Sequence, residues 1–148
     1  MDNKNQVQEK SVKPLLVASI TGHGKVSDAN QDVDKLYGYL YQHNLQDKIA
    51  GPTMALFYSE HGGKYTVAVP LKESFPETNF VKIIKLPAIK CLFLMSTKPK
   101  LDTSFTKIKN YEKRHGISWQ FPVREIYYPT KAKDKYITEI QVPIPNSV

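Results

Sequence analysis

Two stretches of this chain repeat each other, and that repetition limits the fold more than any single motif. Pro14 and Pro87, each at the start of an apolar run, are 73 positions apart. Val67-Ala68-Val69-Pro70-Leu71 and Ile140-Gln141-Val142-Pro143-Ile144 close the two halves at the same spacing of 73. Between them, Pro52 and Pro122 open matching segments 70 apart. Each half is too small to bury a core of its own, so the halves must pack together about a pseudo-twofold axis.

The predicted elements follow that order. β-formers Leu15, Leu16, Val17 and Ile20 mark a strand over 12–21, ended by Gly22-His23-Gly24. Asp28 or Asn30 can cap a helix running to about 44, with Val33, Leu36, Tyr37, Leu40 and Tyr41 on one stripe. Gly51-Pro52 introduces a strand over 53–59, and His61-Gly62-Gly63 turns it into another over 64–71. The second half carries strand residues through 81–97 and stops at Lys98-Pro99. A helix with Phe105, Ile108 and Tyr111 at helical spacing starts from Asp102, Thr103 or Ser104 and ends near His115 at Gly116. A hairpin over 121–128 and 135–144 completes it. The fold class is α+β: a duplicated strand–helix–strand–strand unit, an antiparallel sheet with two long helices and a central ligand cleft. Repeat one runs over about 12–71 and repeat two over about 85–144. Residues 1–11, polar and aperiodic, are expected to be disordered, leaving 12–148 as a single domain.

Charge and cysteine usage narrow the function classes. The net charge of +7 comes almost wholly from lysine, with Arg114 and Arg124 the only arginines. Base readout relies on the planar arginine fork, so specific DNA binding is not expected; lysines such as Lys64, Lys72, Lys82, Lys131, Lys133 and Lys135 read as surface and strand-edge charge. The apolar run near 91–95 is far short of a membrane span, no charged-then-apolar leader opens the chain, and the lone Cys91 cannot form an internal disulfide. These point to the cytoplasm. His23, His43, His61 and His115 share no metal-ligand spacing, and neither a nucleophilic triad nor a phosphate-binding glycine loop is present. No metal and no cofactor are expected.

The candidate site is Phe121-Pro122-Val123-Arg124-Glu125-Ile126-Tyr127-Tyr128, where alternation puts Val123, Glu125 and Tyr127 on one face. Two classes of register are open across the hairpin. One brings Glu125 to the face of Glu139, a like-charge contact. The other pairs Arg124 with Glu139, Tyr127 with Tyr136 and Glu125 with Thr138, and cross-strand pair energies favour it. Arg124 is then occupied, and Glu125 has no basic neighbour. The same register in the first hairpin sets Tyr65 opposite Ala55 and beside Phe57, and Ala55 is the repeat equivalent of Glu125. A small residue there leaves room for a guest. A buried, unpaired carboxylate favours a ligand cation or becomes a proton-transfer group near neutrality. The plainer reading makes Glu125 a solvent-facing strand residue. Trp119, Phe105 and Tyr37 are further candidates for the pocket wall, ordinary packing being the alternative for each.

The ordered set Val17-Ala18-Ser19-Ile20, Leu36-Tyr37-Gly38-Tyr39-Leu40, Gly51-Pro52-Thr53-Met54-Ala55-Leu56-Phe57-Tyr58, the stretch 121–128 and the closing 136–144 resembles the GyrI-like effector-binding domain. That family is found at the C-terminus of MerR-type and AraC-type multidrug-responsive regulators and as a stand-alone protein. The resemblance covers about 12–144. It implies a glutamate at Glu125 ringed by aromatics that accept lipophilic, often cationic, molecules. For some stand-alone relatives it implies hydrolysis of cyclopropane-bearing alkylating toxins. Residues before Val12 are too few for a helix-turn-helix, so a stand-alone domain is expected. The leading expectation is binding of lipophilic, cationic aromatic compounds through Glu125, Tyr127, Tyr136, Tyr65, Phe57 and Ala55. A hydrolase using Glu125 and the Tyr136 hydroxyl is the alternative. A protein-interaction role, with gyrase or a separate regulator as partner, is the third; no membrane partner is expected, and the oligomeric state stays open.

Overall fold

The computed structural model describes residues 6–145 apart from 61, 79, 98–101, 119, 133 and 134. The expectations resting on residues 1–5, His61, Lys98, Pro99, Trp119 and Lys133 lie outside these. The elements in chain order are β1 (Gln8–Val12), β2 (Leu15–Gly24), α1 (Val26–Gln42), β3 (Met54–Phe57), β4 (Gly63–Pro70), β5 (Lys82–Leu86), β6 (Ile89–Ser96), α2 (Asp102–His115), β7 (Val123–Pro129) and β8 (Tyr136–Pro143). All eight strands join one curled antiparallel sheet in the order β1-β6-β8-β7-β3-β4-β2-β5. The α+β class, the duplication and the two helices match the sequence reading.

The repeat is one strand longer than expected. Residues 8–11, read as disordered, belong to β1, which pairs with β6 of the other half. The run 81–97 is two strands broken at Pro87, and β5 pairs with β2. Each half therefore lends its first strand to the edge of the other. The swap hides from local reading because β1 is polar (Gln8, Glu9, Lys10, Ser11) and gains its place through tertiary contacts. Lys10 reaches Glu139 on β8 at 2.5 Å.

The helices end in the same way. Asn44 (φ 57°) and Gly116 (φ 64°), 72 positions apart, take the left-handed conformation that terminates a helix. Leu45 N then donates to Leu40 O at 2.8 Å, and Ile117 N to Glu112 O at 2.9 Å. One turn earlier, Tyr39 stacks on His43 and Tyr111 on His115, again 72 apart, with ring centres separated by 4.4 and 4.1 Å. At the other end of α1, Asp28 does not open the helix. It lies in the first turn and accepts from Lys25 N at 2.7 Å.

Packing under the helices departs from this symmetry at Glu112. Leu36 and Leu40 of α1 are fully buried in a cluster with Ala18, Ile20, Val67 and Val69. Ile108 of α2 is fully buried with Leu92, Leu94, Ile140 and Val142, but the equivalent of Leu40 is Glu112, 4% exposed. Its Oε2 has no described hydrogen-bond partner. Burial pushes this carboxyl up to about 7, with Lys109 pulling modestly the other way.

An acid whose folded pKa exceeds its ordinary value of 4.5 lowers stability as pH rises from about 4.5 through 7. Glu112→Leu, which restores the residue of the first half, should therefore fold about 1–3 kcal/mol more stably at pH 8. The gain should shrink toward pH 5. Urea unfolding of both proteins at the two pH values checks it; a pH-independent difference would refute a titrating Glu112.

Candidate functional site

The halves meet along β3 and β7, paired as Met54–Ile126, Ala55–Glu125, Leu56–Arg124 and Phe57–Val123. Ala55 and Glu125 are also 70 positions apart, the repeat spacing of this segment. They are thus both partners and symmetry equivalents, and the pseudo-twofold axis passes through that pair. Alternation along β7 places Val123 in the core under α2 and Tyr127 against the core under α1. Glu125 stands between them, at the boundary of the two helix-covered halves.

Its surroundings are largely apolar. Ala55, 2% exposed, lies across one side and fully buried Ile140 across the other. Among the described residues its polar partner is the Tyr127 hydroxyl, which donates to Glu125 Oε1 at 2.7 Å. Burial raises the Glu125 pKa, and the Tyr127 hydrogen bond offsets part of that rise. Burial, and then the adjacent carboxylate, push the Tyr127 phenol up, so it stays a proton donor.

Other named residues divide into three groups. Ala55 and Tyr127 touch or face Glu125 directly. Phe57 is the next residue on the same face of β3, half-buried against the first core. Tyr37 of α1 reaches the seam through Thr53: their hydroxyls lie 2.5 Å apart, and Thr53 O accepts Tyr127 N at 2.9 Å. Thr53 was not singled out from sequence, because nothing local marks a threonine ahead of a strand as a bridge between a helix and the opposite half.

Three residues are placed differently from the sequence reading. Tyr65 pairs with Phe57, not with Ala55, whose partner is Val67. Its hydroxyl is committed to Asp32 Oδ2 of α1 at 2.5 Å, its pKa driven up to about 12 by burial and that contact. Tyr136 is 55% exposed and opposite Pro129, four residues along β7 from Glu125, roughly 13 Å away at strand rise. It cannot share a proton with Glu125. Phe105 packs against the core under α2, and Trp119 lies outside the described residues.

The register of the second hairpin is in the favoured class, since Glu125 shares a face with Thr138 and not with Glu139. It is shifted by two residues: Arg124 faces Gln141, Glu125 faces Ile140 and Tyr127 faces Thr138. The physical reason is Glu139. Its charge is met by Lys10 of β1, by Tyr128 at 3.0 Å and by Gln141 Nε2 at 2.8 Å, so it does not need Arg124.

Over residues 5–145 the chain matches the model of the GyrI-like small molecule binding domain, and it belongs to that family. A sequence search of curated proteins finds no match. EcmrR, seen in a cryo-EM complex with DNA, is similar with a TM-score of 0.77 and 14% identity. The alignment covers 99% of this chain and 59% of EcmrR, so this chain spans less than two thirds of that protein. A hydrolase from Listeria innocua matches with a TM-score of 0.74 and 13% identity, over 96% of this chain and 93% of that one. SAV2435, solved with tetraphenylphosphonium bound, matches at 0.59 and 19% identity, over 95% and 94%. At these identities the likeness is one of fold.

Tyr127→Phe removes the described hydrogen bond to Glu125 and should raise the carboxyl pKa further. Carboxyl-carbon NMR titration of the two proteins tests this; an unchanged or lowered midpoint would count against the contact.

Proposed function

We propose that this small-molecule-binding domain takes lipophilic, cationic aromatic compounds, with Glu125 as the charge partner. The observation that carries it is a half-buried carboxylate on the symmetry axis, faced by Ala55 and partnered among the described residues by a hydroxyl. An ionised carboxylate in such a place costs several kcal/mol unless it is paired. A diffuse organic cation supplies the charge without demanding the hydration an ammonium would require. Tyr127, Phe57 and Tyr37 supply aromatic surface, each ring face contributing about 0.5–2 kcal/mol when well placed. The tetraphenylphosphonium held by SAV2435 is a molecule of this chemical class.

Cation binding requires the ionised carboxylate, while burial favours the neutral acid. Affinity should therefore rise with pH through the raised Glu125 pKa, each binding event releasing a proton below it. Titrating tetraphenylphosphonium into wild type and Glu125→Gln at pH 6 and 8 tests this. Wild type should bind more tightly at pH 8, and the Gln variant should lose about tenfold or more with a flat pH response. Equal affinities would sink the proposal.

The Tyr127–Glu125 hydrogen bond supports a second reading, hydrolysis of an electrophilic toxin. Glu125 would take a proton from water as the water oxygen bonds to the electrophilic carbon, and the strained bond at that carbon would break with its electron pair. Glu125 would return the proton to the departing atom, with Tyr127 steadying the carboxylate in place of Tyr136. Mass spectrometry with a strained electrophile in excess decides it. Product beyond one equivalent supports catalysis, and binding without product leaves the binding function alone.

A further inference from the structure

The outer faces of the two helices break the repeat in charge. Helix residues correspond at a spacing of 72, as Tyr39 and Tyr111 do. On α2, Thr106, Lys107, Asn110, Lys113 and Arg114 recur at helical spacing and are all exposed, so they form one stripe directed away from the core. Their counterparts on α1 are Asp34, Lys35, Gly38, Tyr41 and Gln42, also exposed. The α1 stripe is neutral, while the α2 stripe carries the positive charges of Lys107, Lys113 and Arg114. Glu112 faces the core and does not offset them.

The imbalance extends beyond the helix. Residues 1–84 contain nine Lys and Arg and nine Asp and Glu, whereas residues 85–148 contain 12 and five. The whole net charge of +7 thus belongs to the second part of the chain. Two of its five acids, Glu112 and Glu139, are buried, so little negative charge is left on that surface. Several lysines are matched by carboxylates: Lys48 by Glu73, Lys90 by Glu9 and, on the flank of α2, Lys109 by Glu60. Among the described residues no carboxylate forms an ion pair with Lys107, Lys113 or Arg114.

The residue types select the partner. Protein interfaces centre on aromatic or aliphatic anchors and are depleted of lysine, and this stripe has no such anchor. Phosphate oxygens of nucleic acid are met by Lys, Arg, Asn and Thr, the types present here. At 1.5 Å per residue the run from Lys107 to Arg114 is about 10 Å long, which spans roughly three phosphates of one strand. We propose that the outer face of α2 binds the phosphate backbone of double-stranded DNA, without reading sequence, through Lys107, Lys113 and Arg114. Backbone contacts carry no sequence information. This surface is directed away from the sheet that carries Glu125, so it does not rest on the ligand reading.

Fluorescence anisotropy of short labelled duplexes titrated with the wild-type chain tests this, and two duplexes of unrelated sequence should bind alike. Three phosphate contacts should make affinity fall about 40-fold between 50 and 200 mM salt. Lys113→Gln/Arg114→Gln, whose second change copies Gln42, keeps one contact; its affinity should fall only about fourfold over that range and be roughly tenfold or more weaker at 50 mM. Lys72→Gln/Lys82→Gln removes the same charge from exposed positions elsewhere and should bind like wild type within about twofold. No wild-type binding at 50 mM salt, an equal loss in the Lys72 and Lys82 variant, or strong preference for one duplex would overturn the proposal. Polyglutamate binding as tightly as DNA would also overturn it, assigning the stripe to an acidic protein. Because the first arm uses wild type, failure of a variant to fold would not rescue the proposal.

Discussion

Backbone hydrogen bonding between β3 and β7 makes one sheet out of two half-sheets, and the position of Glu125 depends on it. The seam joins equivalent segments, so it can carry a residue and its own repeat counterpart face to face at a single position. That position holds Ala55 and Glu125. A bulky pair there would close the boundary between the halves. A carboxylate opposite a methyl group makes the two sides unequal in volume and in charge, and the proposed site rests on that inequality.

The same duplication shows where the second half has been chemically changed. Leu40 becomes Glu112 under α2, Met54 becomes Arg124 behind the sheet, and Ala55 becomes Glu125 in front of it. The first half remains the apolar version: α1 is seated by Leu36 and Leu40 and anchored by Tyr65 to Asp32. Buried ionisable groups generally reduce stability unless paired. Their concentration in the second half leaves the first repeat the more apolar of the two. Exchange of edge strands binds the two together, since β1 brings Lys10 to Glu139 of the second half and β5 sets Ile84 and Leu86 opposite Val17 and Leu15 of the first.

Much of this was readable in advance. Proline spacing and repeated strand endings revealed the duplication, and alternation along β7 put Glu125, Val123 and Tyr127 on one face. The correspondence of Ala55 and Glu125 followed from the repeat alone. The register error has one source. Reading residues 8–11 as disordered leaves Lys10 out of the charge balance and gives Glu139 to Arg124. That choice sets the hairpin register two residues off, placing Tyr136 opposite Tyr127 where the fold has it opposite Pro129, and Tyr65 opposite Ala55 where the fold has it opposite Phe57. Pair energies of a few tenths of a kcal/mol cannot outweigh an unseen third strand.

The sequence by itself determined the duplication, the two helices, the hairpin strands of each half, the alternation along β7 and the candidate carboxylate, because these rest on periodicity and spacing along the chain. Tertiary structure alone decided the exchange of β1 and β5, the hairpin register, the bridge through Thr53 and the hydrogen bond from Arg124 to Pro87 O. Each of those depends on which distant group satisfies a buried charge or hydrogen bond. Glu139 could have been met by Arg124 or by Lys10 as far as local pattern goes, and the fold chose Lys10.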